Sequence, residues 1–122
     1  MARHYILDKK KNPVPVNDIA EWAEWFEKNP KKRRVRGTRI LGTWVSTVFL
    51  GLNLSFTDSQ EFPLIYETMI FGGELDQYQE RYSTKQEALK GHRHAVKIVI
   101  KSKFNSLKKW ISNLPLRRQE KS

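Results

Sequence analysis

The sequence contains no cysteine. That excludes disulfides, thiolate metal sites and thiol catalysis, and it suits a reducing compartment. Long apolar runs are missing too. The longest, Val45 to Leu54, is interrupted by Ser46, Thr47, Gly51 and Asn53, whereas a membrane span takes about 20 apolar residues. The opening M-A-R-H-Y-I-L-D holds no apolar core of signal-peptide length. Carboxylates are scarce, 13 Asp and Glu against 23 Lys and Arg, for a formal net charge of +10. Catalytic and readout signatures are absent: no H-E-x-x-H, phosphate loop or G-x-S-x-G, and no helix-turn-helix, zinc-finger or RNP pattern.

What is present suits one domain over residues 1–122 with a modest core. An aromatic content of 11% argues against a disordered chain. The charge is unevenly spread. Residues 1–40 carry net +6, residues 41–84 net −5 and residues 85–122 net +9. Basic ends around an acidic middle bear on partners rather than on fold.

Hydrophobic patterning predicts the elements. Tyr5 to Asp8 reads as a short strand, and Val14-Pro15-Val16 leads into a helix capped by Asn17 or Asp18. Ile19, Trp22, Ala23 and Phe26 define its apolar face, and Asn29-Pro30 ends it. The run Lys31 to Arg36 then becomes a strand. A hairpin turn at Leu41-Gly42 leads to a strand over Thr43 to Leu50, whose weak alternation places it centrally. A loop over Asn53 to Pro63 precedes a third strand, Leu64 to Phe71, stopped by Gly72-Gly73. Ser83 or Thr84 opens a capping box for a helical region from Lys85 to about Asn113, with a break expected between Ser102 and Asn105. Pro115 ends it, and the tail from Leu116 is expected to fray. The expected fold is α+β, a small antiparallel sheet in β-α-β-β-β-α order with helices on one face, plus a basic helical extension over 101–122.

Several groups of residues are candidates for function, each with a structural alternative. Lys90, Arg93, Lys97 and Lys101 recur at helical spacing as one cationic stripe, which Lys108, Lys109, Arg117 and Arg118 would prolong. Lys31, Lys32, Arg33, Arg34 and Arg36 form a second cluster. Such groups neutralise phosphates, and nonspecific nucleic-acid binding needs little more. The structural alternative is a solvated helix face. Glu67, Glu74, Asp76, Tyr78, Glu80, Arg81 and Tyr82 gather carboxylates and aromatics around Gly72-Gly73, as a contact surface or an acid–base site. Structurally, Arg81 would pair with a neighbouring carboxylate, and the tyrosines would bury their rings while keeping their hydroxyls wet. His92 and His94 point to different helix faces and cannot share an ion. His92 is expected to be a satisfied core histidine. Ser46 and Thr47 lie in a strand with no recognisable base. Phe104, Leu107, Trp110, Ile111 and Leu114 make a basic amphipathic helix. Packing on the sheet is preferred for it over a partner groove or an anionic membrane surface.

Five blocks resemble a family of small proteins of tailed bacteriophages and prophages. They are Y-I-L-D-x-x-x-x-P-V-P, E-W-x-x-W-F-E, V-S-T-V-F-L-G-L, Y-E-T-M-I-F-G-G and Y-Q-E-R-Y-S-T-x-x-E-A-x-x-G-H. The likeness covers roughly residues 4 to 99 and implies a phage origin, hence the host bacterial cytoplasm, but no particular chemistry. Members often carry histidines where this chain has Leu54 and Leu75, so a site built on those histidines would be missing here. The segment from about Lys101 reads as an extension particular to this chain. The expected function is non-catalytic binding, to nucleic-acid backbone or alternatively to a host defence or replication protein or a phosphorylated small molecule. No metal and no cofactor is expected.

Overall fold

The computed structural model describes residues 3–53 and 62–115. The expected frayed tail and most of the loop after Asn53 lie outside them, as does Leu54. The chain opens with a ribbon of two antiparallel strands, β1 (His4–Leu7) and β2 (Pro13–Val16). Its turn is held by the Asp8 carboxylate, which accepts from the Lys10 and Asn12 amides at 2.9 Å each. Lys11 sits in this turn with φ 66°, a left-handed conformation uncommon outside glycine. The sequence did not predict β2, because Pro13 and Pro15 read as a lead-in. Strand β2 is an edge of this ribbon, and on its outer side a missing N–H costs little.

Helix α1 (Ile19–Lys28) starts at Asp18, whose side chain accepts from the Ala20 amide. Its packed face differs from the expected one. Trp22 meets His4 edge-on at 5.0 Å, and Trp25 meets Phe49 at 6.0 Å. Ile19 and Ala23 are exposed. Asn29 ends the helix, its side-chain amide donating to the Trp25 carbonyl. The next residues form one helical turn, α2 (Pro30–Arg33), so the basic run enters the sheet only at Arg34. Proline at a first helical position favours that turn.

The main sheet has the order β3 (Arg34–Ile40), β4 (Thr43–Phe49), β5 (Tyr66–Phe71), β6 (Gln79–Tyr82), with every pair antiparallel. Leu41 (φ 44°) and Gly42 (φ 84°) make the two-residue β3–β4 turn, a conformation that matches the twist of the strands it joins. As expected, β4 is central. Thr43, Val45, Thr47 and Phe49 are buried on one face, and Trp44, Ser46 and Val48 alternate on the other. Strand β6 was not anticipated, since Gln79-Glu80-Arg81 lacks strand-forming residues. The α+β class holds, with two strands and one helical turn more than expected.

Helix α3 (Lys85–Ser112) crosses all four strands of this sheet. Thr84 and Glu87 form the reciprocal capping box that their spacing predicts. Ala88, His92, Ala95 and Val99 are its buried residues, and they share one side of the helix. The core lies beneath them in two clusters, around Phe49, Ile65 and Tyr66 and around Val45, Ile70 and Val99.

The expected break at Ser102 to Asn105 does not occur. The Ser102 and Ser106 hydroxyls, one turn apart, donate to the two oxygens of Glu74 at 3.2 and 2.9 Å. The serines that read as a break are hydrogen-bonded along one helix. The expected packing of the tail on the sheet fails for a related reason. Continuing the buried side of α3 past Val99 brings Ser102, Lys103 and Ser106 toward the sheet. Ile100, Phe104, Leu107, Ile111 and Leu114 centre roughly a third of a turn away at about 100° per residue. All five are exposed, as is Trp110 at 61%.

Candidate nucleic-acid interface

The cationic stripe is continuous. Lys90, Arg93, Lys97 and Lys101 are all exposed, and helical geometry sets them opposite the buried Ala88, His92, Ala95 and Val99. Lys108 falls on the same line, with its ammonium over the Phe104 ring at 4.9 Å. Lys109 lies about 100° round the helix. From Lys90 to Lys108 the rise is roughly 27 Å, about eight phosphate spacings along one strand. No carboxylate interrupts α3 beyond Glu87. The ion pairs found among the described residues are Lys28–Glu24 and Arg81–Glu67, so none involves the stripe. Arg117 and Arg118 lie outside the described residues.

The second cluster is divided. Arg33 is half-buried: its guanidinium stacks 3.7 Å over Phe26 and donates to the Phe26 carbonyl. Burial lowers its pKa. It is therefore a packing residue rather than a free cation. Lys31, Lys32, Arg34 and Arg36 are exposed. Arg34 and Arg39 both lie over Trp44, at 5.7 and 5.3 Å. Trp44 in turn covers Gly37, where a Cβ would collide with its ring. Arg36 is close enough to help depress the His92 pKa.

The acidic segment is not one site. Glu67, buried on β5, accepts from Arg81 at 3.0 Å and from Gln79. This is the expected pairing of Arg81. Glu74 is taken by α3. Asp76 accepts from the Gly72 amide at 2.7 Å and closes the turn after β5. The register puts Glu67 beside Arg81 and Glu80 beside Thr68, so Glu67 and Glu80 face opposite sides of the sheet. These carboxylates do not converge on a common point. Tyr78 packs against the Val45 cluster. The Tyr82 hydroxyl is buried rather than wet, tucked against Gly91 where a Cβ would strike it. Burial raises the pKa of both tyrosines. Tyr78, Glu80 and Tyr82 line one side of an open cleft, with Lys90 and His94 across it.

One relationship escaped sequence reasoning. His92 is buried and joins three threonines. Its Nε2 lies 2.8 Å from Thr38 Oγ1 and its Nδ1 2.7 Å from Thr47 Oγ1, which also bonds Thr68. Thr47 thus has a base beside it, but both residues are almost fully inaccessible, at 0% and 1%. The group is a satisfied polar core, as expected for His92. The three threonines come from three strands, β3, β4 and β5, far away in sequence, and no local spacing marks them.

Among the described residues no three His, Asp or Glu side chains gather to hold a metal ion. No helix there is long and apolar enough to cross a membrane. In comparison with known proteins, the chain matches no family model, no curated protein and no solved structure.

Proposed function

We propose that this is a small phage-type accessory protein that binds nucleic acid through the phosphate backbone, without catalysis, in the host bacterial cytoplasm. The observation that carries the reading is the line of Lys90, Arg93, Lys97, Lys101 and Lys108, exposed and outside any ion pair among the described residues. Cations in such a row release condensed counterions when they meet phosphates, and this favours binding without regard to sequence. Lys31 and Arg36 add charge from the α2–β3 segment. The test is binding of labelled duplex DNA and single-stranded RNA over a salt series. Affinity is expected to fall steeply with salt for unrelated sequences. Replacing Lys90, Lys97 and Lys101 by Gln should shrink the duplex log–log slope by about 2.7. Absence of binding at low salt would overturn the reading.

A host protein is the second reading, favoured by the exposed Phe104, Leu107, Trp110 and Ile111. Apolar residues exposed together in this way mark contact sites. One tight partner in a pull-down, lost when these residues become Ser, would support it over the first.

A further inference from the structure

Three segments distant in sequence meet beside Tyr66: the β1–β2 turn, the α2–β3 junction and the first turn of α3. A cavity of about 50 Å³ there is lined by Lys11, Lys32, Arg34, Tyr66 and Lys85, with Leu7 and Val35 as its apolar wall. An open hollow of about 440 Å³ shares Lys11, Tyr66 and Lys85 and adds Lys10 and Thr84. Among the described residues, neither is lined by a carboxylate. Tyr66 is 1% exposed, and its buried hydroxyl has no hydrogen-bond partner among the described residues.

We propose that this cavity binds the phosphate of a phosphomonoester, with the attached group lying in the open hollow. A buried donor without an acceptor is costly, and native proteins rarely leave one. An anion in the cavity would supply that acceptor. Burial pushes the Tyr66 pKa up to about 12, so the phenol keeps its proton and can donate at neutral pH. The cations around it suit a dianion. The Asp8 turn fixes the backbone at Lys11. The Glu87 side chain takes the Ser83 and Thr84 amides, and the Glu87 amide goes to Thr84. The Lys85 and Gln86 amides make no hydrogen bond among the described residues, and they open a 28-residue helix whose start favours negative charge.

The phosphate has two possible sources, the 5′ end of a strand or a free mononucleotide. The α3 stripe takes no part in the cavity, so this inference can fail while backbone binding stands. The experiment compares 5′-phosphorylated and 5′-hydroxyl single strands of about ten nucleotides, with adenosine monophosphate and inorganic phosphate titrated separately. The phosphorylated end should bind roughly tenfold tighter. Lys11→Asn combined with Lys85→Gln should abolish the difference, since Asn tolerates the left-handed backbone at position 11. Tyr66→Phe should weaken phosphate binding several-fold, by about one hydrogen bond, without lowering the melting temperature. Binding of adenosine monophosphate or phosphate that the double variant loses, without discrimination of strand ends, would assign a free small molecule. Equal binding of every probe by wild type and double variant would overturn the proposal. Retention of the salt-dependent duplex binding in that double variant would show that the stripe acts separately.

Discussion

The imidazole of His92 bridges Thr38 on β3 and Thr47 on β4, at 2.8 and 2.7 Å. A neutral imidazole has one donor and one acceptor nitrogen, and threonine hydroxyls can serve either. Protonation is disfavoured, first by burial and then by Arg36, so the folded pKa lies below 6.5. The unfolded chain takes up this proton earlier as pH falls. The stability from His92 is therefore whole above about pH 6.5 and is lost as pH drops below it toward the folded value. The melting temperature should decline over that interval, and His92→Leu should flatten the decline. That variant leaves Thr38 without its imidazole partner, at a cost of about 1–3 kcal/mol, measurable by urea unfolding.

Legibility in the sequence followed the range of the interactions. The Thr84–Glu87 box and the Leu41–Gly42 turn depend on neighbours a few residues apart, the central place of β4 is marked by its own residue pattern, and all were readable. Strand β6 and the unbroken α3 were not, because each depends on a distant partner. Strand β6 exists through its pairing with β5, and Ser102 and Ser106 find Glu74, 28 and 32 residues away. The cationic stripe was legible because a helix repeats its own faces. The cavity beside Tyr66 was not, since it gathers Lys11, Lys32, Arg34 and Lys85 from three segments.

Gly91 is a helix-interior glycine, and alanine there would ordinarily gain about 1 kcal/mol. A Cβ at this position strikes the Tyr82 ring and hydroxyl, which are held between β6 and the helix. Gly91→Ala should therefore destabilise the wild type by about 1–3 kcal/mol. In a Tyr82→Ala background the same change should be neutral or stabilising. A double-mutant cycle by thermal unfolding reads this coupling directly.

Glu74 holds the second half of α3 through two serine hydroxyls. All three residues sit near solvent, so the pair of bonds should be worth only about 1 kcal/mol. Glu74→Ala should accelerate amide exchange across residues 103–112 about fivefold. Exchange at residues 92–99, under which the core lies, should not change. Equal acceleration in both halves would mean that Glu74 supports the whole fold rather than the projecting helix.

The projecting half of α3 carries Phe104, Leu107 and Ile111, each at least 50% exposed. Side chains that bury little on folding contribute little to it. Replacing all three by Ser should then change unfolding free energy chiefly through helix propensity, about 0.5 kcal/mol or less per site. Truncating core residues of similar size costs about 2–5 kcal/mol each. Phe49→Ala, whose ring is completely buried, gives the comparison within the same protein. A large loss from the triple replacement would mean that this apolar face is covered in solution. A concentration-dependent melting temperature in the wild type would then identify the cover as a second copy of the chain.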